Sequence, residues 1–478
     1  MNTAQSATSS KNSINHEVYL FITVVLSSSI LYFYGTGLQA FFVFTWLAPI
    51  PILWYLTFSR SYLPLIAGFL SYLLGSLNMF SYLLTHLPYI LVIGNILIQA
   101  LVFTCGLWLF SWGIQKNKLL GVFIFPCFWV SFEYIQSYLS QHGTFGSLAY
   151  TQADFEAFIQ LASYTGIWGI TFCLIFIPTL FVMAIKDFKT FLIPLALSFL
   201  LISIPILNRV DLAKEDTSAL NVGLIASDPL IEFFNQTEKN AALTVLTQYF
   251  QKAEELIEEG LDILVLPEKI FTITEENQKP IKQLIQKFTS KNQLVLVVGL
   301  TLEMNDHKKN VAWVFDEENF IGEYTKQQLV PGWESEYIAG NENFIFSKWD
   351  KQIGVAICKD MDFPDLIRGY SHQGLDLILV PAWDFGKDAQ LHHNMAKIRA
   401  IEGGFSMVRS ASQGLLTTNN ALGQSNVSIS SNTNPITSIK SQIKLINLET
   451  VYSYMGDWFA LLVMVVLLSL VFIIKYKS

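Results

Sequence analysis

Seven apolar runs crowd the first 207 residues, at 18–34, 38–58, 62–84, 89–113, 119–139, 158–185 and 190–207, and an eighth, Trp458–Ile474, closes the chain. Each is long enough, or nearly so, to cross a hydrocarbon core of about 30 Å. Lipid offers no partner to an open backbone N–H or C=O, so such runs are confined to helices or closed barrels. Their length predicts helices. Between the seventh and eighth runs the composition turns mixed and polar over residues 208–457, enough for a whole further domain. The expected organisation is a seven-span membrane domain at 1–207, an inserted soluble domain at 208–457, and an eighth span with a short tail at 458–478. Only 14% of the residues are charged and the mean hydropathy is +0.41, against a charged share of about a quarter in soluble domains.

The short loops predict the orientation. Lys11, Arg60, Lys116 with Lys118, Lys186 with Lys189, and Lys475 with Lys477 all fall on one side of the expected spans. The alternate loops, around Thr36, around His86 and from Ser140 to Glu156, contain no Lys or Arg. The positive-inside rule puts the basic side and both termini in the cytoplasm, and residues 208–457 outside it. The first 16 residues are polar with one lysine and no small-residue cleavage site, so the first span is expected as an uncleaved anchor.

A net charge of -8 without a basic stripe argues against nucleic acid as a partner. No glycine-rich phosphate loop and no Cys/His spacing for zinc occurs, and neither a metal nor a dissociable cofactor is expected. The one histidine pair, His392-His393, is expected at the surface, since adjacent helical residues point in different directions.

Within 208–457, short apolar runs alternate with amphipathic stretches. Strands are expected at 221–226, 262–267, 293–301, 310–315, 320–324, 352–358, 376–381 and 405–411, with helices near 237–259, 279–289 and 389–404. Continuous apolar strands between helices indicate a sheet covered on both faces, and strands paired without a helix make it mixed. Three residues stand just after such strands: Glu268 after VLP, Lys326 in YTKQQLVPGWE, and Cys358 at the end of GVAIC. Carboxyl ends of strands are where α/β sheets gather their ligand sites. Cys358 is the only cysteine of the insert; Cys105, Cys127 and Cys173 lie in apolar runs. A carboxylate, an ammonium and a thiol divide a covalent reaction between them: base, oxyanion partner and nucleophile. A nearby ammonium would also lower the thiol pKa, and the Lys359 N–H could add a second oxyanion donor. Taken singly each has a plainer reading: a packed cysteine, a solvated glutamate, a surface lysine.

The order Glu268, Lys326, Cys358 in the segments LVLPEK, YTKQQLVP and GVAICKD resembles the triad of the nitrilase, or carbon–nitrogen hydrolase, superfamily. The resemblance covers most of 218–425 and includes KIRAIEGG (397–404) and MVRSASQG (407–414). It implies a four-layer αββα sandwich, with Glu334 supporting the base. The inserted position of the domain, PAWDF (381–385), FEYIQSYLSQHGTFGSLAYTQ (132–152) and SYTGIWGITF (163–172) are similar to the membrane branch, the apolipoprotein N-acyltransferases. That resemblance implies ping-pong acyl transfer in a bacterial cytoplasmic membrane. Cys358 would take an acyl chain from a phospholipid and pass it to the α-amine of a diacylglyceryl-cysteine at a lipoprotein N-terminus.

Departures from the branch lie at Lys359-Asp360, where Tyr-Glu is common, at Gln136 and Phe405, where arginines are usual, at Gln413-Gly414, and in GLIASD (223–228). They touch substrate positions and leave the triad intact. Trp333, Trp383 and Phe385 near the crevice suggest an apolar lining suited to acyl chains, and Glu133 within an apolar run is expected to face the bundle interior. A tethered amidase of the same superfamily, using another amine or water, is the alternative enzyme; a lipid-binding scaffold with a vestigial triad is the non-enzymatic one. The chain is expected as a monomer.

Overall fold

The structure, a computed structural model, describes residues 2–59, 61–212, 219–237 and 239–476. Arg60 and Lys477, used above for orientation, lie outside these. Among the described residues six helices are long and apolar enough to cross a membrane: His16–Gly35, Leu63–His86, Tyr89–Lys116, Lys118–Leu139, Ile167–Lys186 and Trp458–Tyr476. The two remaining expected spans form shorter apolar helices, Phe42–Phe58 and Phe188–Ile204. The first of these is broken into Phe42–Leu47 and Ile50–Phe58, where Pro49 and Pro51 remove two backbone donors. The long run at 158–185 is divided as well. Its first residues form two one-turn helices, and Gly166, at φ +64°, turns the chain into the Ile167–Lys186 span.

The α/β part stacks two sheets. The first contains β1 (Ala219–Ala226), β2 (Ile263–Val265), β3 (Thr272–Thr274), β4 (Val295–Glu303), β5 (Lys308–Phe315) and β6 (Phe320–Thr325). The second contains β7 (Phe344–Lys348), β8 (Lys351–Val355), β9 (Leu377–Trp383), β10 (Ser406–Ser412), β11 (Leu415–Asn419) and β12 (Ser425–Ser430), while β13 (Thr437–Lys444) returns to pair antiparallel with β1. The orders are β13-β1-β2-β4-β5-β6, with β3 beside β4, and β12-β11-β10-β9-β8-β7. Side chains such as Val222, Val265 and Val297 of one sheet meet Ile353, Leu379 and Val408 of the other in a shared core. Helices Lys239–Ile257 and Gln278–Asn292 cover the outer face of the first sheet, and Pro364–Ser371 and Ala389–Gly403 that of the second. This is the expected αββα sandwich. The strand at 352–358 ends earlier than its apolar run, because the chain leaves β8 at Val355 for a tight turn at Cys358.

The Ala389–Gly403 helix joins the two parts. Ala396 and Ala400 pack on the second sheet, while Leu391, Met395, Ile398 and Ile401 enter the apolar cluster of the membrane helices. The α/β part therefore rests on the loops that lack Lys and Arg. Gln160 Nε2 donates to Leu422 O at 2.7 Å, and Thr144 Oγ1 to Asp362 O at 2.9 Å. On the opposite face Lys118 pairs with Asp187 at 3.3 Å and Lys186 donates to Thr57 O.

Glu268 is placed by a backbone crossing. Between β2 and β3 the Pro267–Glu268 segment passes over Gly299 of β4, whose N–H donates to Pro267 O at 3.1 Å. A Cβ at Gly299 would stand 2.4 Å from Pro267 O and 2.6 Å from Glu268 Cα. Gly299→Ala is expected to cost about 1–3 kcal/mol through forced backbone movement, giving a lower melting temperature. An unchanged melting temperature would show that the crossing tolerates a side chain.

Candidate active site

Three chain segments bring the expected residues together. Glu268 follows β2, Lys326 follows β6, and Cys358 opens the turn after β8. Lys326 is buried between two carboxylates, 2.8 Å from Glu268 Oε1 and 3.0 Å from Glu334 Oε2. Glu334 also accepts from Lys269 Nζ at 2.9 Å and from Val330 N at 2.7 Å. Asn310 at the start of β5 donates from Nδ2 to both carboxylates, at 2.5 Å to Glu268 and 2.8 Å to Glu334. Two ammonium groups thus balance two carboxylates, as buried charge requires. Burial disfavours the charge on Lys326, but Glu268 and Glu334 outweigh it and hold its pKa well above the ordinary lysine value. Burial likewise opposes the Glu334 charge, and Lys326 and Lys269 overcome it, holding the carboxyl below the ordinary range. Lys326 has three N–H donors, and two of them are engaged by carboxylates.

Cys358 has φ +44°, a left-handed conformation costly for a residue with a side chain. Asp360 braces the turn. Its carboxylate accepts from Ile357 N at 2.9 Å, Gln328 N at 2.8 Å, Gln327 N at 3.2 Å and Tyr324 Oη at 2.7 Å. Burial pushes that carboxyl up to about 6. The same contacts tie the Cys358 turn to the loop that carries Lys326. The Cys358 thiol donates to Trp383 O at 3.4 Å. Beneath it Arg409 and Asp384 form a buried pair at 2.5 Å.

The thiol pKa runs opposite to the sequence expectation. Burial and the Glu268 carboxylate raise it well above the ordinary value, and Lys326 offsets only part of this. The ammonium is already committed to two carboxylates, so its field at sulfur is largely cancelled. Burial and the neighbouring carboxylate therefore favour the protonated thiol over the thiolate.

Cys358 opens on a cavity of about 510 Å³ whose walls come from both parts of the protein. Membrane helices contribute Tyr72, Glu133 and Gln136, and the α/β part contributes Lys359, Trp383 and Phe385. Glu268, Lys326 and Glu334 stand behind this wall. Trp333, 63% exposed, sits at the rim with its ring 5.4 Å from that of Phe385. Trp383 also lies 5.3 Å from Lys269 Nζ, face to cation. Glu133 faces inward, as expected. It accepts from Trp129 Nε1 at 2.9 Å, Ser147 Oγ at 2.6 Å, Leu148 N at 3.2 Å and Thr171 Oγ1 at 3.1 Å.

Sequence reasoning missed Asn310, Lys269 and the Asp384–Arg409 pair. An asparagine opening an apolar strand was the available signal for the first. The histidine pair is not a surface pair. His393 is buried, and His392 lies between Asp362 Oδ1 at 3.4 Å and Asp388 Oδ2 at 3.3 Å. Their helix is enclosed by the second sheet on one side and the membrane helices on the other, so it has no solvated face to offer them. Burial lowers His393 to about 3; at His392 burial is outweighed by Asp362 and Asp388, which raise it well above the ordinary value.

The raised thiol pKa gives a direct test. Alkylation of Cys358 by iodoacetamide, followed by intact mass, should be slow at pH 7 and still rising above pH 9. A rate already level below pH 7 would mean a preformed thiolate.

The family profile for the apolipoprotein N-acyltransferase N-terminal domain matches residues 28–180, and that for carbon–nitrogen hydrolase matches residues 239–433. An apolipoprotein N-acyltransferase of Rickettsia prowazekii is 24% identical over 394 residues, covering 75% of this chain and 76% of the relative. Apolipoprotein N-acyltransferase 1 of Treponema denticola is 22% identical over 425 residues, covering 73% and 76%. Among solved structures, an amidase from Nesterenkonia sp. is similar at 17% identity and a TM-score of 0.40, covering 50% of this chain and 93% of that one. With one profile matched at 28–180, the other at 239–433, and likeness to apolipoprotein N-acyltransferases over about three quarters of its length, the chain is a divergent member of that family.

Proposed function

We propose that this protein transfers an acyl chain from a phospholipid, through a thioester at Cys358, to the N-terminal α-amine of a diacylglyceryl-cysteine lipoprotein. The observation that carries this reading is the shared cavity. A thiol that opens into a space walled partly by membrane helices can meet an acyl ester without that ester leaving its lipid surroundings. The α/β part rests on the loops without Lys or Arg, which supports an extracytoplasmic site in a bacterial cytoplasmic membrane.

In the first half-reaction Glu268 takes the Cys358 proton as sulfur attacks the ester carbonyl. The Lys326 ammonium and the Lys359 backbone N–H stabilise the oxyanion. Collapse breaks the carbon–oxygen bond, and Glu268 returns the proton to the departing lysophospholipid oxygen. In the second half the lipoprotein amine attacks the thioester carbonyl, its proton passes to Glu268, and the thiol is regenerated as the amide forms. Glu334 and Asn310 hold the base and the ammonium in register. Trp333, Trp383 and Phe385 line the approach for apolar chains.

Intact-protein mass spectrometry after incubation with phospholipid should show a fatty-acyl increment on the wild type and none on Cys358→Ala. Glu268→Gln should slow its appearance by about 10²–10⁴-fold, the usual worth of a general base. An increment on Cys358→Ala, or an unmodified wild type with an alkylatable thiol, would overturn the assignment.

A further inference from the structure

Lys359 follows the nucleophile and lines the same cavity, yet its charge is not matched by the surrounding protein. The side chain is 4% exposed. Its ammonium donates to two backbone carbonyls, Gln141 O at 2.7 Å and Leu329 O at 3.1 Å. No carboxylate of the described residues lies within ion-pair distance of it. Buried lysines are rarely left this way, because carbonyl dipoles replace only part of the lost hydration. Burial accordingly lowers its pKa to about 8, against a partial compensation from Asp362. One of its three N–H donors has no acceptor among the contacts formed.

The other charges on the cavity wall are already satisfied. Glu133 takes four donors. Asp362 is paired with His392, which Asp388 holds from its other nitrogen. Lys359 is therefore the wall charge that lacks a counter-charge, and it is the residue next to the thiol. Cys358 and Lys359 line the same cavity, so an ester carbonyl that reaches Cys358 brings the glycerol backbone of its lipid into the space that Lys359 also faces. The group attached to that backbone in a glycerophospholipid is a phosphodiester. We infer that the Lys359 ammonium selects the acyl donor by binding the phosphodiester of the glycerophospholipid whose ester reaches Cys358. This deepens the function proposed above and rests on it.

The test compares two donors with identical acyl chains in the same detergent micelles: phosphatidylethanolamine and 1,2-diacylglycerol, which lacks the phosphate. Cys358 acylation is followed by intact mass under single-turnover conditions. The wild type should favour the phospholipid by about 10- to 100-fold, the range of one hydrogen bond to a charged group. Lys359→Met should bring that ratio close to one, chiefly by slowing the phospholipid reaction, and Lys359→Arg should keep most of it. If Lys359 only fastens the Gln141 and Leu329 loops, Lys359→Met will slow both donors in proportion, and the unchanged ratio overturns the inference. A wild type that uses diacylglycerol as readily as phospholipid overturns it without any variant. A wild type that acquires no acyl group from either donor overturns the proposed function and this inference together.

Discussion

Lys326 is buried between Glu268 and Glu334, and the geometry of the site follows from the need to keep that charge paired. A desolvated ammonium is tolerated only where carboxylates and further donors surround it closely, and removing one partner of such a group is far costlier than the pair is stabilising. Lys269, next to Glu268, and Asn310, from β5, complete the arrangement. The result draws the ends of β2 and β6, the start of β5 and the loop bearing Glu334 to one point. The same pairing spends the field of Lys326 before it reaches the thiol. Burial and the Glu268 carboxylate favour the protonated form of Cys358.

The second constraint is the union of the membrane helices with the sandwich. The Ala389–Gly403 helix is shared by both cores, and polar contacts frame it. Tyr82 of a membrane span donates to Asp388 at 2.7 Å. Arg399 reaches both Glu402 and Tyr150, while Glu402 accepts from Ile167 N at 2.9 Å at the head of the Ile167–Lys186 span. These contacts tie the nucleophile's surroundings to the bundle, so that the cavity wall is made jointly. A catalytic part tethered by one helix would have no such wall.

Much of this was legible in the chain. The apolar runs identified the helices, since lipid demands their backbone pairing. Alternating apolar and amphipathic stretches located eight strands and three covering helices, but missed the strands at Thr272–Thr274, Phe344–Lys348, Leu415–Asn419, Ser425–Ser430 and Thr437–Lys444 and the short helix Pro364–Ser371. The candidate residues Glu268, Lys326 and Cys358 stood out by order and context. What failed did so for physical reasons. Pro49, Pro51 and Gly166 shorten or divide runs that hydropathy alone counts as continuous. His392-His393 read as exposed because helical pattern shows that two faces differ, and does not show that both are covered. Lys326 does lower the Cys358 thiol pKa, as expected, but burial first and the Glu268 carboxylate second outweigh it, and neither can be weighed from the sequence.

The sequence by itself determined the classes of segment, their order and the three candidate side chains, because length, hydropathy and local motif act within a few residues. Only the tertiary structure decided which charges neutralise one another, that Asn310 bridges two carboxylates, that Asp360 braces the strained Cys358 turn, and that Lys359 faces the cavity without a counter-charge. Those are contacts between segments far apart in the chain. Their energies depend on burial and distance in space, and neither is written in local pattern.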